Sequence, residues 1–419
     1  MTAGSFDADG TGTSNTIAYV VNAGAGNNTL TLTSYKSGSQ FLTGDGIDTV
    51  NVNDADSAVI VTGAGADTIN IGASTDSDAV IVAGDGSDTL AFKSTSGNDF
   101  GDSANPNFGF TGVEYVDVSA LTSGTDSINS AQLAANPTFT LVGTSGGADT
   151  LTVVGKSSTA ANTIDASGIT LSNATVILTG NKNVDTITGT TGNDYINATI
   201  GADVINGGTG TDTVNYGNVT VNGTISTEAD RLTYGDATNG SGVAIQGVVV
   251  NLGPSTSSIT AADVFSATGK YLSNGVASVA GGKTAWTFST QSANNSANQQ
   301  TLTSIEKVIG TAGNDYIAAA DAGSTIQAGN GNDYIKLAGG ADTVIFSAAG
   351  SNGSDTISGF AIGASKDVLN VASVATLIGT GTTGGVAATN VVYNGATAAG
   401  TKGDTAVSKV VVIADADKA

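Results

Sequence analysis

"GTTGNDYINATIGADVINGGTGTDTVNY" runs from Gly189 to Tyr216, and an aspartate returns in it every ninth residue, at Asp194, Asp203 and Asp212. Each has a glycine two places before it and an apolar residue two places after it. Glycine permits positive φ, so the chain can reverse in few residues, and alternating apolar positions mark short strands with one buried face. Strand, turn, strand, turn at nine residues each makes an eighteen-residue coil. Successive coils then stack through parallel ladders about 4.8 Å apart. The expected fold class is all-β: parallel β-roll or β-solenoid blocks with β-rich segments between them.

The same phase extends outward. "TGNKNVDTITG" adds Asp185 upstream, and a C-terminal block repeats the pattern at Asp315, Asp333, Asp342 and Asp355. An N-terminal block is looser: "AGAGNNTLTL", "TGDGIDTVNV", "TGAGADTINI" and "AGDGSDTLAF" align Asn28, Asp48, Asp67 and Asp88 at spacings near twenty. Halfway between them "SQFL", "SAVIV" and "DAVIV" repeat the alternation without the glycine turn. This predicts a coil of about twenty residues with one glycine-aspartate turn and one plain turn. "TSGGADTLTV" places Asp149 in an isolated turn of the same kind.

Stacked coils put every second aspartate above another, and unpaired carboxylates in line would repel. A hard cation between turns reverses the sign, since Ca²⁺ takes about 6 to 8 oxygen ligands, from carboxylates and turn carbonyls together. The candidate calcium ligands are therefore Asp48, Asp67, Asp88, Asp149, Asp185, Asp194, Asp203, Asp212, Asp315, Asp333, Asp342 and Asp355. Asp45, Asp85 and Asn330 within the turns, and Gly192, Gly210, Gly313 and Gly331, complete the set.

"GGTGTDTVNY" and "AGNGNDYIKL" closely resemble the nonapeptide of the repeats-in-toxin (RTX) family, whose repeats bind calcium. "LTSIEKVIGTAGNDYI" (302–317) is similar to the lead-in of RTX blocks, "GFTGVEYVDVSAL" is a looser version, and "DTISGFAIGASKDVLNV" (355–371) resembles their closing segment. The match departs in detail. Thr or Ala replaces the first glycine in "TGDGID" and "AGDGSD", while Asn28 and Thr325 stand where the aspartate is expected. The resemblance implies several Ca²⁺ ions per chain. It also implies export from a Gram-negative-type bacterium by a type I apparatus reading an uncleaved C-terminal signal.

Composition narrows the rest. Thirteen basic residues against 36 acidic give a net charge of −23, so nucleic acid is not an expected partner. Cysteine and histidine are both absent, which removes disulfides, thiol nucleophiles and His-based triads and leaves only oxygen ligands for a metal. "MTAGSFDADGTGTS" has no basic or apolar leader region, and no run of about 18 apolar residues is present, so neither a Sec-type signal nor membrane insertion is expected.

The expected organisation is an N-terminal solenoid (1–92), a β-rich connecting region or small sandwich (93–179) and an RTX roll (180–216). A β-rich insertion (217–301), a second RTX roll (302–371) and a C-terminal strand and export region (372–419) follow. In the insertion "TAADVFSATGKYL" reads as a helix and Trp286 as local core. "VSKVVVIAD" near the C-terminus reads as an apolar strand with an unpaired edge.

Glu114 and Glu306 stand in the repeated contexts "GVEYV" and "SIEKV", which argues for one structural job done twice rather than for a catalytic pair. Arg231 with Glu228 and Asp230 reads as a solvated cluster. The expected function is a secreted structural protein, not an enzyme, that folds on Ca²⁺ and pairs with copies of itself in a filament or surface layer (S-layer). An RTX-type adhesin that binds cell-surface polysaccharide through the insertion is the alternative. A secreted enzyme carrying the repeats as a folding module ranks third.

Overall fold

The computed structural model describes residues 18–215 and 245–370, apart from 36, 54–56, 73–78, 102–107, 123–124, 147–148, 158–159, 182, 198–202, 273–275, 290–298, 312, 347–353 and 362–366. Beyond these it describes only the strands Phe6–Asp7, Val219–Val221, Thr224–Ser226, Val392–Tyr393 and Lys409–Val411. The chain forms two compact units: 1–180 with 186–195 and 208–210, and 181–185 with 196–207 and 211–419.

In the first unit the glycine-aspartate turns lead into one parallel sheet and the plain segments form a second. Strands Thr29–Ser34, Thr49–Val52, Thr68–Ile71 and Thr89–Phe92 pair in register, Leu30 with Val50, Val50 with Ile69, and Ile69 with Leu90. Opposite them, Ser39–Leu42, Ala58–Gly65 and Val80–Gly86 align Phe41, Ile60 and Ile81. These two apolar rows are buried, while Thr and Asn alternate outward, where the Asn70 amide donates to Asn51 Oδ1 at 2.8 Å. The coil is thus a thin sandwich of Val, Ile and Leu, as the twenty-residue reading expects.

Residues 93–179 lose the regular phase of the repeat but keep the ladder. Tyr115–Asp117, Phe139–Val142 and Ile169–Ser172 extend the first sheet, and Asp126–Asn129, Thr150–Val154 and Thr175–Thr179 pair in another. What changes is the filling. Phe92, Phe100, Phe108, Phe110 and Phe139 form a continuous chain of ring contacts, from a stacked pair at 4.0 Å to a T-shaped pair at 6.5 Å. A short helix, Ser130–Ala135, is started by a capping box between Asn129 and Gln132, and the Gln132 amide donates to the carbonyls of Phe100 and Phe108. The longer coils are held by aromatic area where the earlier ones are held by stacked turns.

The second unit carries the eighteen-residue coil. Lys307–Ile309, Thr325–Gln327 and Thr343–Ile345 form one ladder, ending in Val368–Asn370; Tyr316–Ala318, Tyr334–Lys336 and Thr356–Ser358 form the other. The insertion contributes strands to this ladder. Ile245–Asn251 pairs in parallel with Tyr316–Ala318 and antiparallel with Lys283–Phe288, which carries the buried Trp286. Val248 and Val250 face the opposite side from Val249, which joins Ile259, Val264, Leu272, Val279 and Tyr316 in a small core under the helix Ala261–Thr268.

One expectation is overturned here. Lys409–Val411 of "VSKVVVIAD" is not an open edge: it pairs antiparallel with Thr356–Ser358 and with Val392–Tyr393. An antiparallel strand on the last coil of a parallel ladder covers its open N–H and C=O groups. Among the described residues, no helix is long and apolar enough to cross a membrane.

Candidate metal centre

All twelve aspartates singled out from the repeat are buried, and each described ladder places them in columns. In the regular coils Oδ1 accepts from the backbone N–H of the corresponding residue one coil earlier, whereas Asp194 Oδ1 accepts from the Thr190 hydroxyl and Asp315 Oδ1 from Val248 N and the Thr311 hydroxyl. Asn28 N donates to Asp48 at 2.7 Å, Asp48 N to Asp67 at 2.8 Å and Asp67 N to Asp88 at 2.8 Å. In the second unit Asp185 N donates to Asp203 at 2.9 Å, Asp315 N to Asp333 at 2.8 Å and Asp333 N to Asp355 at 3.0 Å. Repulsion between stacked carboxylates is therefore offset in part by a staircase of charge-assisted hydrogen bonds.

Glu114 and Glu306 belong to the same staircase. Asp88 N donates to Glu114 Oε2 at 2.8 Å, and Asp212 N donates to Glu306 Oε2 at 2.9 Å. At both places the spacing to the next carboxylate is longer than in the regular coils, and the longer glutamate arm takes the aspartate's position.

The second carboxylate oxygen, Oδ2, sorts the turns into two kinds. In the first it is satisfied within its own turn by an N–H four or five residues upstream. Asn181 donates to Asp185, Thr190 to Asp194 and Thr311 to Asp315 at 2.5 to 2.6 Å, Thr144 to Asp149 at 2.5 Å and Ala338 to Asp342 at 3.1 Å. In the second kind Oδ2 is buried and has no hydrogen-bond partner: Asp48, Asp67, Asp88, Asp126 and Asp333. Asp203 differs from both, because the Gln300 amide donates to its Oδ2 at 3.1 Å.

The residue four places upstream explains most of the sorting. Asp48, Asp67, Asp88 and Asp333 have Gly44, Gly63, Gly84 and Gly329 there, all at φ between +83° and +105°. In these four turns the glycine N–H makes no hydrogen bond to the carboxylate, whose Oδ2 is left without a partner. The same glycines stack closely: a Cβ on Gly63 would sit 2.4 Å from the Gly44 carbonyl oxygen, and one on Gly65 would sit 1.7 Å from that of Gly46. Gly210 lies over the Gly192 carbonyl and Gly331 over that of Gly313, each within 2.4 Å of where a Cβ would stand. Carbonyl oxygens thus line up from turn to turn beside the carboxylates.

Asp45 and Asp85 are exposed on the turns and Asn330 is half-buried. Position 325 needs correction. Ser324, not Thr325, occupies the aspartate position, since its N–H donates to Asp342 Oδ1 at 2.6 Å while Thr325 starts the strand. Asp126 and Asp367 also belong to the columns: "SGTDSI" gives Asp126 the glycine two places before and the apolar residue two places after, whereas Asp367 has no glycine at that place; Asn98 N donates to the first at 2.8 Å and Asp342 N to the second at 3.0 Å. Glu228, Asp230 and Arg231 lie outside the described residues.

Among the described residues no three acidic side chains converge, so carboxylates alone do not make a site. A hard cation needs the stacked carbonyls as well. The electrostatics fit one. Burial pushes Asp88, Asp126 and Asp194 up to about 6. Asp333 and Asp355 are raised by burial and by neighbouring carboxylates, and Asp342 is raised by burial first. These are sites short of positive charge, and Ca²⁺ would supply it through Asp carboxylates and turn carbonyls.

A search of curated proteins found no match. Two stretches, 179–214 and 308–344, match the RTX calcium-binding nonapeptide repeat (4 copies), and the chain therefore carries calcium-binding RTX repeats within a parallel β-solenoid.

Proposed function

We propose that this protein is a secreted, calcium-stabilised structural protein whose copies join edge to edge in an extracellular filament or surface layer. The observation that carries the reading is a pair of sheet ends on which no further strand is seated among the described residues. Val20–Asn22 ends one sheet of the first unit with Val20 72% exposed, and Val368–Asn370 ends one sheet of the second with Val368 51% exposed. Bare parallel edges template another strand, and two different edges meeting head to tail give an open fibre or lattice rather than a closed ring. The C-terminal strand, already paired with Thr356–Ser358, plays no part in this contact.

RTX repeats are typical of type I secreted proteins, which supports export by that route. A catalytic role has no place in this proposal. Nor do nucleic acid or membrane insertion. The adhesin reading needs aromatics on an exposed face of the insertion. Phe265 and Tyr271 pair at 4.7 Å with Phe265 46% exposed, but Trp286 and Phe288 are buried, which favours the structural reading.

Light scattering and electron microscopy with and without calcium test the proposal. Regular assemblies are expected only in calcium, and Val20→Lys with Val368→Lys is expected to suppress them with the circular dichroism spectrum unchanged. A protein that stays monomeric in millimolar calcium, with its fold intact, overturns it.

A further inference from the structure

Asn28 stands at the aspartate position of the first glycine turn, and its side chain shows what that position is built to hold. Its Nδ2 donates to the carbonyl oxygens of Gly24 at 2.9 Å, Gly26 at 2.6 Å and Thr43 at 3.0 Å. Two N–H groups are thus shared among three oxygens, all directed at one partially positive atom.

The pairing of Thr29 with Thr49, Thr49 with Thr68 and Thr68 with Thr89 carries this geometry along the block. By register, the carbonyls that correspond to the three Asn28 acceptors are those of Gly44, Gly46 and Thr62 for Asp48 and those of Gly63, Gly65 and Ala83 for Asp67. The Thr62 and Ala83 oxygens also accept from the Thr43 and Thr62 hydroxyls. At these positions, and at Asp88, the atom corresponding to the Asn28 nitrogen is a carboxylate Oδ2, buried and without a hydrogen-bond partner. An oxygen anion directed at carbonyl oxygens is repulsive unless a cation lies among them.

We propose that the N-terminal block, outside both stretches that match the repeat, holds a file of three divalent cations at Asp48, Asp67 and Asp88, and that Asn28 closes the file with its amide in place of an ion. Each ion takes a carboxylate oxygen and turn carbonyls from two successive coils. The amide supplies weaker positive character without a metal, so the first turn is ordered before any ion binds. The turns at Asp185, Asp194 and Asp315, whose Oδ2 atoms are satisfied within their own turns, do not share this arrangement.

Native mass spectrometry of the full chain in calcium, which counts ions singly, tests this with two opposite variants. Asp67→Asn copies Asn28: one ion fewer is expected, together with a higher melting temperature than wild type in excess chelator. Asp67→Ala also loses one ion but melts lower than wild type in chelator, because no amide replaces the carboxylate. Asn28→Asp is expected to bind one ion more. An unchanged count in Asp67→Asn overturns the proposal, as does an unchanged count in folded Asn28→Asp; if Asn28→Asp does not fold, the Asp67→Asn count decides alone. Equal filling by sodium overturns the divalent assignment. None of these counts depends on self-assembly, so a failed scattering experiment and a failed ion count are separate results.

Discussion

The N-terminal coils of residues 28–92 and the C-terminal coils of residues 307–345 solve one problem with different turn inventories. The C-terminal coils match the RTX repeat and keep its eighteen-residue step, yet Asp315 is satisfied within its own turn and Ser324 has no carboxylate. The N-terminal coils lie outside the match, yet three successive aspartates leave Oδ2 without a partner beside stacked glycine carbonyls. Likeness to the nonapeptide and readiness for a cation are therefore separate properties. What separates most turns in the second respect is the residue four places before the aspartate: Gly329 precedes the unpartnered Asp333, whereas Thr311 closes the turn of Asp315, and Asp126, with Thr122 there, is the exception.

Removing calcium has the largest expected effect and acts on both regions. Binding free energy contributes to folding when ligands come from successive coils, and a chain of charge −23 repels itself once the ions leave. Excess chelator should lower the melting temperature and weaken the β signal in circular dichroism, and calcium should restore both. The aromatic segment of residues 92–139 should resist longest, because its core does not depend on glycine turns. Identical spectra in chelator and calcium would remove the metal from the account altogether.

A glycine substitution comes next. Gly65 has φ +146°, and a Cβ there would stand 1.7 Å from the Gly46 carbonyl oxygen, so neither a side-chain shift nor a rotamer change relieves the clash. Gly65→Ala should lose about 3 kcal/mol or more, combining left-handed strain with displaced backbone. Gly109 has open space around its Cβ position, and Gly109→Ala should fall within about 0.5 kcal/mol of wild type. Thermal melts of the two variants in calcium make the measurement. Equal melting would mean that the turns do not stack as described.

The comparison sharpens with single carboxylates. Asp333 follows Gly329 and has an unpartnered Oδ2, whereas Asp194 receives the N–H of Thr190 at 2.6 Å. Asp333→Ala should weaken calcium binding by about tenfold or more, and Asp194→Ala by less, since ligand charge tunes affinity. Ser324→Ala removes no carboxylate and should leave calcium affinity near wild type. Calorimetric titration distinguishes the three, and equal losses at Asp333 and Asp194 would break the sorting by the upstream residue.

Much of this was legible in the residues. The nine-residue phase "GADVINGGTGTDTVNY" encodes strand, turn and facing, and the halfway segments "SQFL" and "SAVIV" locate the second sheet of the N-terminal coil. The shared job of Glu114 and Glu306 was readable from their contexts, though not its form, because a hydrogen bond across coils depends on register rather than local sequence. Asp126 was legible too, in "SGTDSI" with Gly124 two places before it and Ile128 two places after, and was missed because this single motif stands outside the regular phase. The helix Ser130–Ala135 hid behind a capping box too short to stand out from its β-rich surroundings. The partner of "VSKVVVIAD" was invisible because antiparallel pairing with Thr356–Ser358 joins segments far apart in sequence.

The smallest expected effect is on pH, and its sign separates metal-free from calcium-loaded protein. Asp88, Asp126 and Asp194 are raised by burial from 3.8 to about 6 in the metal-free fold. Between those values the folded state binds more protons than the unfolded state, so their contribution is fully present below about pH 4 and is lost as pH rises through about 6. Chelated protein should therefore melt several degrees higher at pH 4.5 than at pH 7.5. Calcium-loaded protein should move the other way, because protons compete with the ion for the same carboxylates. A metal-free melting curve that is flat or rising over this range would mean that another positive group neutralises the columns. Among the described residues the one ion pair is Lys93 with Asp117, at the surface and away from the columned aspartates' hydrogen bonds. Opposite slopes with and without calcium would show that a proton and an ion answer the same deficit of charge.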